Sequence, residues 1–404
     1  MRILILHRVP DSFVRYAANI DHSRHEVTYV SAPDRVVTLP PADVPGSRIT
    51  RPGAGDTATE VLEVIAGLPA PEVVVALSEY DLLAAGRLRD VLGVPGPSER
   101  EVLPTRDKVV MKSVVTAAGL RAPRFLPLPE ALRDGSSAVP WTGRTVLKPL
   151  AGASSEGVST FDTPAQAIDG ALTHPAPADD LEIEEFVEGP ILHVDGLMTA
   201  GAPVAVQASA YVGTCLDFAQ GAPLGSVQID TDPAVLEWTL RCLKALDIEN
   251  GPFHLEGVST PDGMVFLEVG ARFGGADVVD TFELATGVRL PSAHVRLLVD
   301  GAGDPPVARV PGPGERYGWF VFPGHVLGTR HCRISGHERF PDHPQVLRWV
   351  QRTPEELISP SVIYADHLVP IAGLVGPGTT GQLEGLLTEM FASVRVEPHG
   401  PAVS

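Results

Sequence analysis

The sequence predicts an α/β protein of several lobes, with a parallel α/β unit at its N-terminus and mixed α and β segments after it. Three observations lead there. Strand-like and helix-like segments alternate over the first hundred residues, and an apolar hairpin pattern surrounds the turn Pro261-Asp262-Gly263. With 404 residues, 44% of them apolar, the chain can also bury more than one core.

The N-terminal unit reads as strand at 3–6, strand at 26–30, helix at 57–66, strand at 73–77 and helix at 80–92. Such alternation builds a parallel sheet with crossover helices. No GxGxxG follows the first strand, and Gly53-Ala54-Gly55 stands alone in a Pro-rich loop, which argues against a dinucleotide site. Ser78 and Asp81 are expected to cap the next helix. The segment GVPGPSER around Pro95 reads as a linker.

From Thr105, TRDKVVMKSVVTAAGL reads as a helix of about four turns. Val109, Val110, Val114 and Ala117 form its apolar face, and Gly119 ends it. A strand ending at Lys148, a Gly/Ser-rich segment from Gly152 to Gly157, a helix near Ala165 and a strand at 181–187 follow. A Pro/Gly-rich break at 302–314 sets off a final mixed region with few readable signals.

Composition limits the partners. Thirty-one Lys and Arg against 50 Asp and Glu give a formal charge of -19, which repels nucleic acid and anionic membranes, so an anionic ligand must be held by local cations. The start, MRILILHRVP, is too short an apolar run for a secretory signal, and no 18-residue apolar stretch follows. A cytoplasmic protein is expected. Cys215, Cys242 and Cys332 lack a CxxC spacing and read as core thiols. His331, His337 and His343, spaced by six, fit neither helical zinc pairing nor a zinc finger, and their run reads as a loop.

GxxxxGK[ST] is absent, so phosphates would need another cradle. Lys108 opens a helix, and Lys148 ends a strand before the Gly/Ser segment, whose backbone N–H groups can act as directed donors. Each lysine alone also fits a solvated surface charge. The run GPFHLEGVSTPDGMVFLEVGARFGG, 251–275, is more specific. A hairpin centred on Asp262 sets Glu256 opposite Glu268 and His254 opposite Gly270. Period-two alternation puts Val265, Leu267 and Val269 on the core side and Glu268, Gly270 and Arg272 on the other. Opposed carboxylates repel, which should raise at least one pKa unless a cation such as Mg²⁺ lies between them. A solvated strand face is the other reading of the hairpin alone.

SEYDLLAAGRL, RDKVVMKSVVTAAGL, TVLKPLAGASSEGV, IEEFVEGPILHVDG, HLEG and FLEVGARFGG, in that order, resemble the ATP-grasp superfamily. The likeness is to its carboxylate-amine ligases, such as amino-acid and dipeptide ligases; it runs over about 73–279 and more loosely to the end. It implies an ATP-grasp fold with an N-terminal parallel α/β domain at 1–104 and a small lobe with the glycine-rich loop at 105–183. A large lobe with the metal site would span 184–310, and 311–404 would complete it.

The resemblance also assigns residues. It implies ATP phosphates on Lys108 and Lys148 under a mobile loop containing Gly152, Ser154, Ser155 and Gly157. It implies an adenine-reading hinge at Glu184, Glu185, Phe186 and Val187, a ribose partner in Asp195, and Mg²⁺, or Mn²⁺ as a substitute, on Glu256 and Glu268. Arg272 would steady the reacting carboxylate, with Lys148 beside it in catalysis. The family often has Asn where Gly270 stands here; either His254 or a water takes its place, or His254 only makes an ordinary hydrogen bond.

The implied reaction is ATP-dependent amide formation between a small-molecule carboxylate and an amine, through an acyl phosphate, releasing ADP and phosphate. Homodimerisation is a family expectation. An ATP-grasp carboxylase or nucleotide-biosynthesis ligase is the alternative, and a non-catalytic nucleotide-binding regulator a third.

Overall fold

The structure is a computed structural model that describes residues 1–152, 155–301, 303 and 305–402. It is mixed α/β, as expected. The N-terminal unit is a parallel sheet of β1 (Arg2–His7), β2 (Glu26–Ser31), β3 (Ser47–Thr50) and β4 (Val73–Ala76), in the order β3-β2-β1-β4. Both faces of β1 are buried. Ile3 and Ile5 join one core and Leu4 and Leu6 another, as period-two alternation requires of a covered parallel sheet. The first of these cores also takes in Phe273, Phe282 and Leu290, so the sheet packs directly on the larger lobe.

Local details depart from expectation. β3 has no sequence signal, because only Ile49 is partly buried in it. Neither Ser78 nor Asp81 caps the next helix, Leu82–Leu92. Asp81 instead accepts from Arg8 Nε at 2.9 Å and Nη2 at 2.8 Å. The backbone donors of Gly53, Ala54 and Gly55 all point to the Glu60 carboxylate, which fills the place an outside anion would take.

The small lobe is an antiparallel sheet of β5 (Phe125–Pro127), β6 (Thr145–Pro149), β7 (Ser159–Phe161) and β8 (Leu181–Glu185), in the order β5-β8-β6-β7. Beside it lies the helix Lys108–Ala117, capped by the Asp107 side chain and shorter than four turns. Its buried face is Lys108, Met111, Lys112 and Val115 rather than the valine face expected; Ala117 is exposed. The helix turns this way because Lys112, wholly buried, meets two carboxylates of β8.

The large lobe is one eight-stranded antiparallel sheet. Its strands are β9 (Ile191–Thr199), β10 (Ala202–Val212), β11 (Leu224–Gln228), β12 (Gly251–Thr260), β13 (Gly263–Gly270) and β14 (Arg316–Phe322), joined by later strands described next. β15 (Thr329–Ser335) leaves the sheet, β16 (Val346–Gln351) and β17 (Ile371–Gly378) complete it, and β18 (Arg395–Ala402) pairs with β15. The order is β13-β12-β9-β10-β11-β14-β17-β16, so residues beyond the break at 302–314 supply three of its strands. His331 lies on β15, not in a loop, because the apolar Cys332 and Ile334 alternate with polar neighbours on a paired strand. No described helix is long and apolar enough to cross a membrane.

Candidate active site

The small lobe faces the edge of the large sheet across a cavity of about 300 Å³. Lys108, Lys148, Gly152, Ser155, Glu184, Glu185, Phe186, Val187, Glu256 and Glu268 all line it. Residues drawn from six separate stretches of sequence thus meet on one space. Val146, Val158, Ile191, Val258 and Leu267 give it an apolar end. A larger depression of about 720 Å³ beside residues 17–23 and 43–45 contains no lysine and none of these groups. Ser154 lies outside the described residues. Gly157, at φ +71°, does not line the cavity; its carbonyl accepts from the His174 ring at 3.0 Å.

Sheet pairing builds the lysine end. Val146 of β6 faces Glu184 of β8, and Lys148 faces Glu182. Lys148 Nζ donates to Glu184 Oε1 at 2.6 Å, while Lys112 Nζ donates to Glu182 Oε1 at 2.7 Å and Glu184 Oε2 at 2.5 Å. Two lysines and two glutamates therefore balance in a buried square. Burial opposes the charge on Lys148, but Glu184 and Glu182 outweigh it and raise its pKa. Burial likewise raises Glu182, whereas at Glu184 the two lysines overcome burial and lower it. Lys112 was missed in sequence, where a lysine within KSVV reads as a solvated helix face.

The stretch expected to be the hinge is partly committed. Glu185 N–H donates to Arg124 O at 2.8 Å and Phe186 N–H to Arg144 O at 3.0 Å, and the Glu185 carboxylate holds Arg124. Among the described residues, only Val187 of these three has an N–H with no acceptor. Arg144 stacks 3.7 Å from the centre of the Phe186 ring, which stiffens this wall.

On the acidic side Glu256 faces Glu268 and His254 faces Gly270, the register read from sequence. It arises differently, however. Thr260 pairs with Gly263 around a two-residue turn, and a bulge between Glu256 and Gly257 makes Leu267 the extra residue. Alternation therefore breaks. Phe266 joins Val269 in one core cluster, Val265 is fully buried outside that cluster, and Leu267 turns to the cavity.

The two carboxylates are held separately. Lys108 Nζ lies 3.0 Å from Glu268 Oε2 and donates to Gly152 O at 2.9 Å. Burial would raise the Glu268 pKa, but Lys108, Lys148 and Arg272 hold it at about 2. The upward shift expected from repulsion is absent there because lysines supply the countercharge. Glu256 Oε1 accepts from Tyr211 Oη at 2.6 Å and His254 Nε2 at 3.3 Å.

Asp195, assigned to ribose by the resemblance, does not line the cavity. Its Oδ1 accepts from His254 Nδ1 at 2.8 Å and its Oδ2 from His193 Nδ1 at 2.6 Å, so both oxygens are occupied inside the sheet. The two histidines keep its pKa far below the usual carboxylate range despite burial. Burial disfavours the charged form of His254, yet Asp195 and Glu256 raise it to about 10. Both ring nitrogens of His254 are engaged within the sheet, Nδ1 with Asp195 and Nε2 with Glu256. The space beside Gly270 is in any case filled: a Cβ there would meet Glu79 Oε2 at 2.8 Å and Arg272 Nε at 3.2 Å.

Arg272 lies beside, not in, the cavity wall; it is paired through Nε to Glu79, which also pairs with Arg106. Glu79, in the stretch SEYDLL, thus ties the N-terminal unit to both lobes. Cys215 is not a core thiol. It opens the short helix Cys215–Ala219 on the cavity wall, and burial raises its pKa. Cys242 and Cys332 are buried and free.

No family model matches the chain. Among curated proteins it is 24% identical over 240 residues to the L-arginine-specific L-amino acid ligase of Bacillus subtilis, covering 56% of this chain and 57% of that protein. The chain spans about half the length of the curated relatives it matches. Among solved structures, the L-amino acid ligase from Bacillus licheniformis aligns at a TM-score of 0.72 and 17% identity, over 99% of this chain and 98% of that one. The N5-carboxyaminoimidazole synthetase from Staphylococcus aureus complexed with ADP aligns at 0.67 and 13%, over 96% of each chain. The N-terminal parallel sheet, the small antiparallel lobe and the eight-stranded sheet, matched over nearly the whole chain, make this the ATP-grasp fold.

Proposed function

We propose that the chain is an ATP-dependent carbon-nitrogen ligase that joins a small-molecule carboxylate to an amine through an acyl phosphate, releasing ADP and phosphate. The observation that carries this reading is the single cavity in which Lys108, Lys148, the Val187 hinge and the opposed Glu256 and Glu268 meet.

The adenine would lie in the apolar end, against Val146, Val258 and Leu267, with its edge at the Val187 N–H. Its phosphates would then reach Lys148 and Lys108. Mg²⁺, or Mn²⁺ in its place, fits Glu256 and Glu268. Among the described residues Glu256 Oε2 and Glu268 Oε1 accept no hydrogen bond, which leaves one hard oxygen from each facing the same space. Bound there, the ion supplies positive charge to the phosphate oxygens.

The substrate carboxylate attacks the γ-phosphoryl group, an amine attacks the resulting carbonyl carbon, and phosphate leaves. Positioning and fixed positive charge do most of this work. Lys148 is kept charged in a buried setting, Lys108 bridges loop and strand, and Arg272 stands close enough to Glu268 to depress its pKa. Gly152 and Ser155 line the cavity, where they would help to keep water from the acyl phosphate. This reading also places the chain in the cytoplasm, where ATP is supplied, and takes a homodimer as its assembly.

The test is a phosphate-release screen over pairs of carboxylates and amines, with mass spectrometry of the product and of the nucleotide. ADP formed only when acid and amine are both present supports the ligase. Dependence on bicarbonate instead of a carboxylate would replace it with a carboxylase, and no substrate-dependent ADP with any pair would leave a nucleotide-binding regulator.

A further inference from the structure

The sequence carries the pattern His-x-acid-Gly twice, as His193-Val194-Asp195-Gly196 on β9 and His254-Leu255-Glu256-Gly257 on β12. The strands pair antiparallel in the register that sets His254 opposite Asp195 and Glu256 opposite His193. Each motif's histidine thus faces the other's acid. Residues two apart share one face of a strand, so all four side chains project from the same side of the sheet, the side that bears Glu268.

The bonds run in one chain. Ser226 Oγ meets His193 Nε2 at 2.6 Å, His193 Nδ1 donates to Asp195, Asp195 accepts from His254 Nδ1, and His254 Nε2 donates to Glu256 Oε1. His193, Asp195 and His254 are all buried, and each polar atom of the three side chains that takes part has a partner. Those three could also be grouped as metal donors. With every ring nitrogen and carboxylate oxygen already bonded, they leave no lone pair directed at an ion.

We propose that His193, Asp195 and His254 are positioning residues for Glu256. They act with Tyr211 to bind its Oε1 and so turn its Oε2 alone toward the Mg²⁺ of the nucleotide complex. This rests on the metal reading given above. A free glutamate rotates about three bonds, and beside a second carboxylate it would swing away. Two donors on one oxygen hold it in place without neutralising the other oxygen. Outer hydrogen bonds of this kind typically carry 10- to 100-fold in metal affinity. Gly274 makes the arrangement exacting: a Cβ there would come within 2.9 Å of both Asp195 Oδ1 and His254 Nδ1.

The experiment measures ATP binding calorimetrically, first without divalent metal and then over a Mg²⁺ titration, in the full chain. His254→Leu should raise the Mg²⁺ concentration for half-maximal enhancement of ATP binding at least tenfold, with metal-free ATP affinity unchanged. His254→Gln, which keeps an N–H directed at Glu256, should recover most of the loss. If His254→Leu does not fold, Asp195→Asn, nearly identical in shape, should show the same tenfold rise. An unchanged Mg²⁺ requirement in a folded His254→Leu or Asp195→Asn protein overturns the proposal. So does an equal defect in the Leu and Gln variants. Glu256→Gln separates the two levels: loss of the Mg²⁺ effect there, with none in the histidine and aspartate variants, sinks the positioning role alone. Retention of the full Mg²⁺ effect in Glu256→Gln sinks the metal site itself.

Discussion

Lys108 Nζ lies 3.0 Å from Glu268 Oε2, so the carboxylate expected to need a metal already has a protein cation. This reverses an expectation drawn from the hairpin alone. Removing the Glu268 charge should not relieve repulsion but break an ion pair. Glu268→Gln should therefore lower metal-free stability slightly, within about 1 kcal/mol because over a third of the side chain is exposed and screened. It should also abolish Mg²⁺-dependent turnover. Chemical denaturation and steady-state rates check both, and a metal-free stability above the parent's would restore the repulsion model.

Among the described residues Lys148 is the one lysine paired directly with Glu184 and open to the cavity. Lys148→Ala should weaken ATP binding at least tenfold and remove turnover while the chain remains folded. Calorimetry on the folded variant decides. Unchanged ATP affinity would mean that Lys148 serves only the buried square.

Lys112 has the opposite profile, since it touches no cavity space and sits between Glu182 and Glu184. Lys112→Met leaves two carboxylates with Lys148 alone and should cost about 3–5 kcal/mol. Adding Glu182→Gln restores charge balance and should recover much of that loss. Denaturant midpoints of the single and double variants measure the recovery; no recovery would show that packing of the lysine stem, not its charge, carries the effect.

Two histidines outside the site set an acid limit. Burial pushes His7 down to about 4, with Arg35 adding to it against a bond to Thr38, and burial with Arg89 nearby pushes His294 down to about 3. The native state then binds fewer protons than the unfolded chain below pH 6.5. Stability contributed by the neutral rings is present above that pH and is lost as pH falls through 6.5 toward 4 and 3. The loss at pH 5 is on the order of 1–2 kcal/mol per histidine. Melting temperatures of His294→Gln and the parent, compared from pH 7.5 to 4.5, should converge on acidification; parallel curves would contradict the buried neutral histidine.

Much of the site was legible because its parts are local. The turn at Pro261-Asp262 joins the strands that carry Glu256 and Glu268, close in sequence, and the strand ending at Lys148 precedes its loop directly. The bulge at Leu267 was not legible: a shorter turn and one extra residue cancel in the register beyond the bulge and change only the facing of the residues between turn and bulge, Phe266 among them. Lys112 was missed because the acids that neutralise it lie 70 and 72 residues away. Asp195 was misplaced for a similar reason, since only the pairing of β9 with β12 shows that His254 consumes it. β14, β16 and β17 join strands distant in sequence, and nothing local announces such pairings.

The acyl phosphate makes a claim about a single oxygen atom. When a carboxylate attacks the γ-phosphoryl group, one of its oxygens becomes the bridge, and it departs with phosphate when the amine attacks the carbonyl carbon. With the acid found in the phosphate-release screen labelled with ¹⁸O in its carboxylate, mass spectrometry of the products follows that atom. One ¹⁸O in each inorganic phosphate, with ADP as the nucleotide product, is the expected result. Unlabelled phosphate, or label appearing in AMP, would contradict phosphorylation of the carboxylate in the cavity of Lys148 and Glu268.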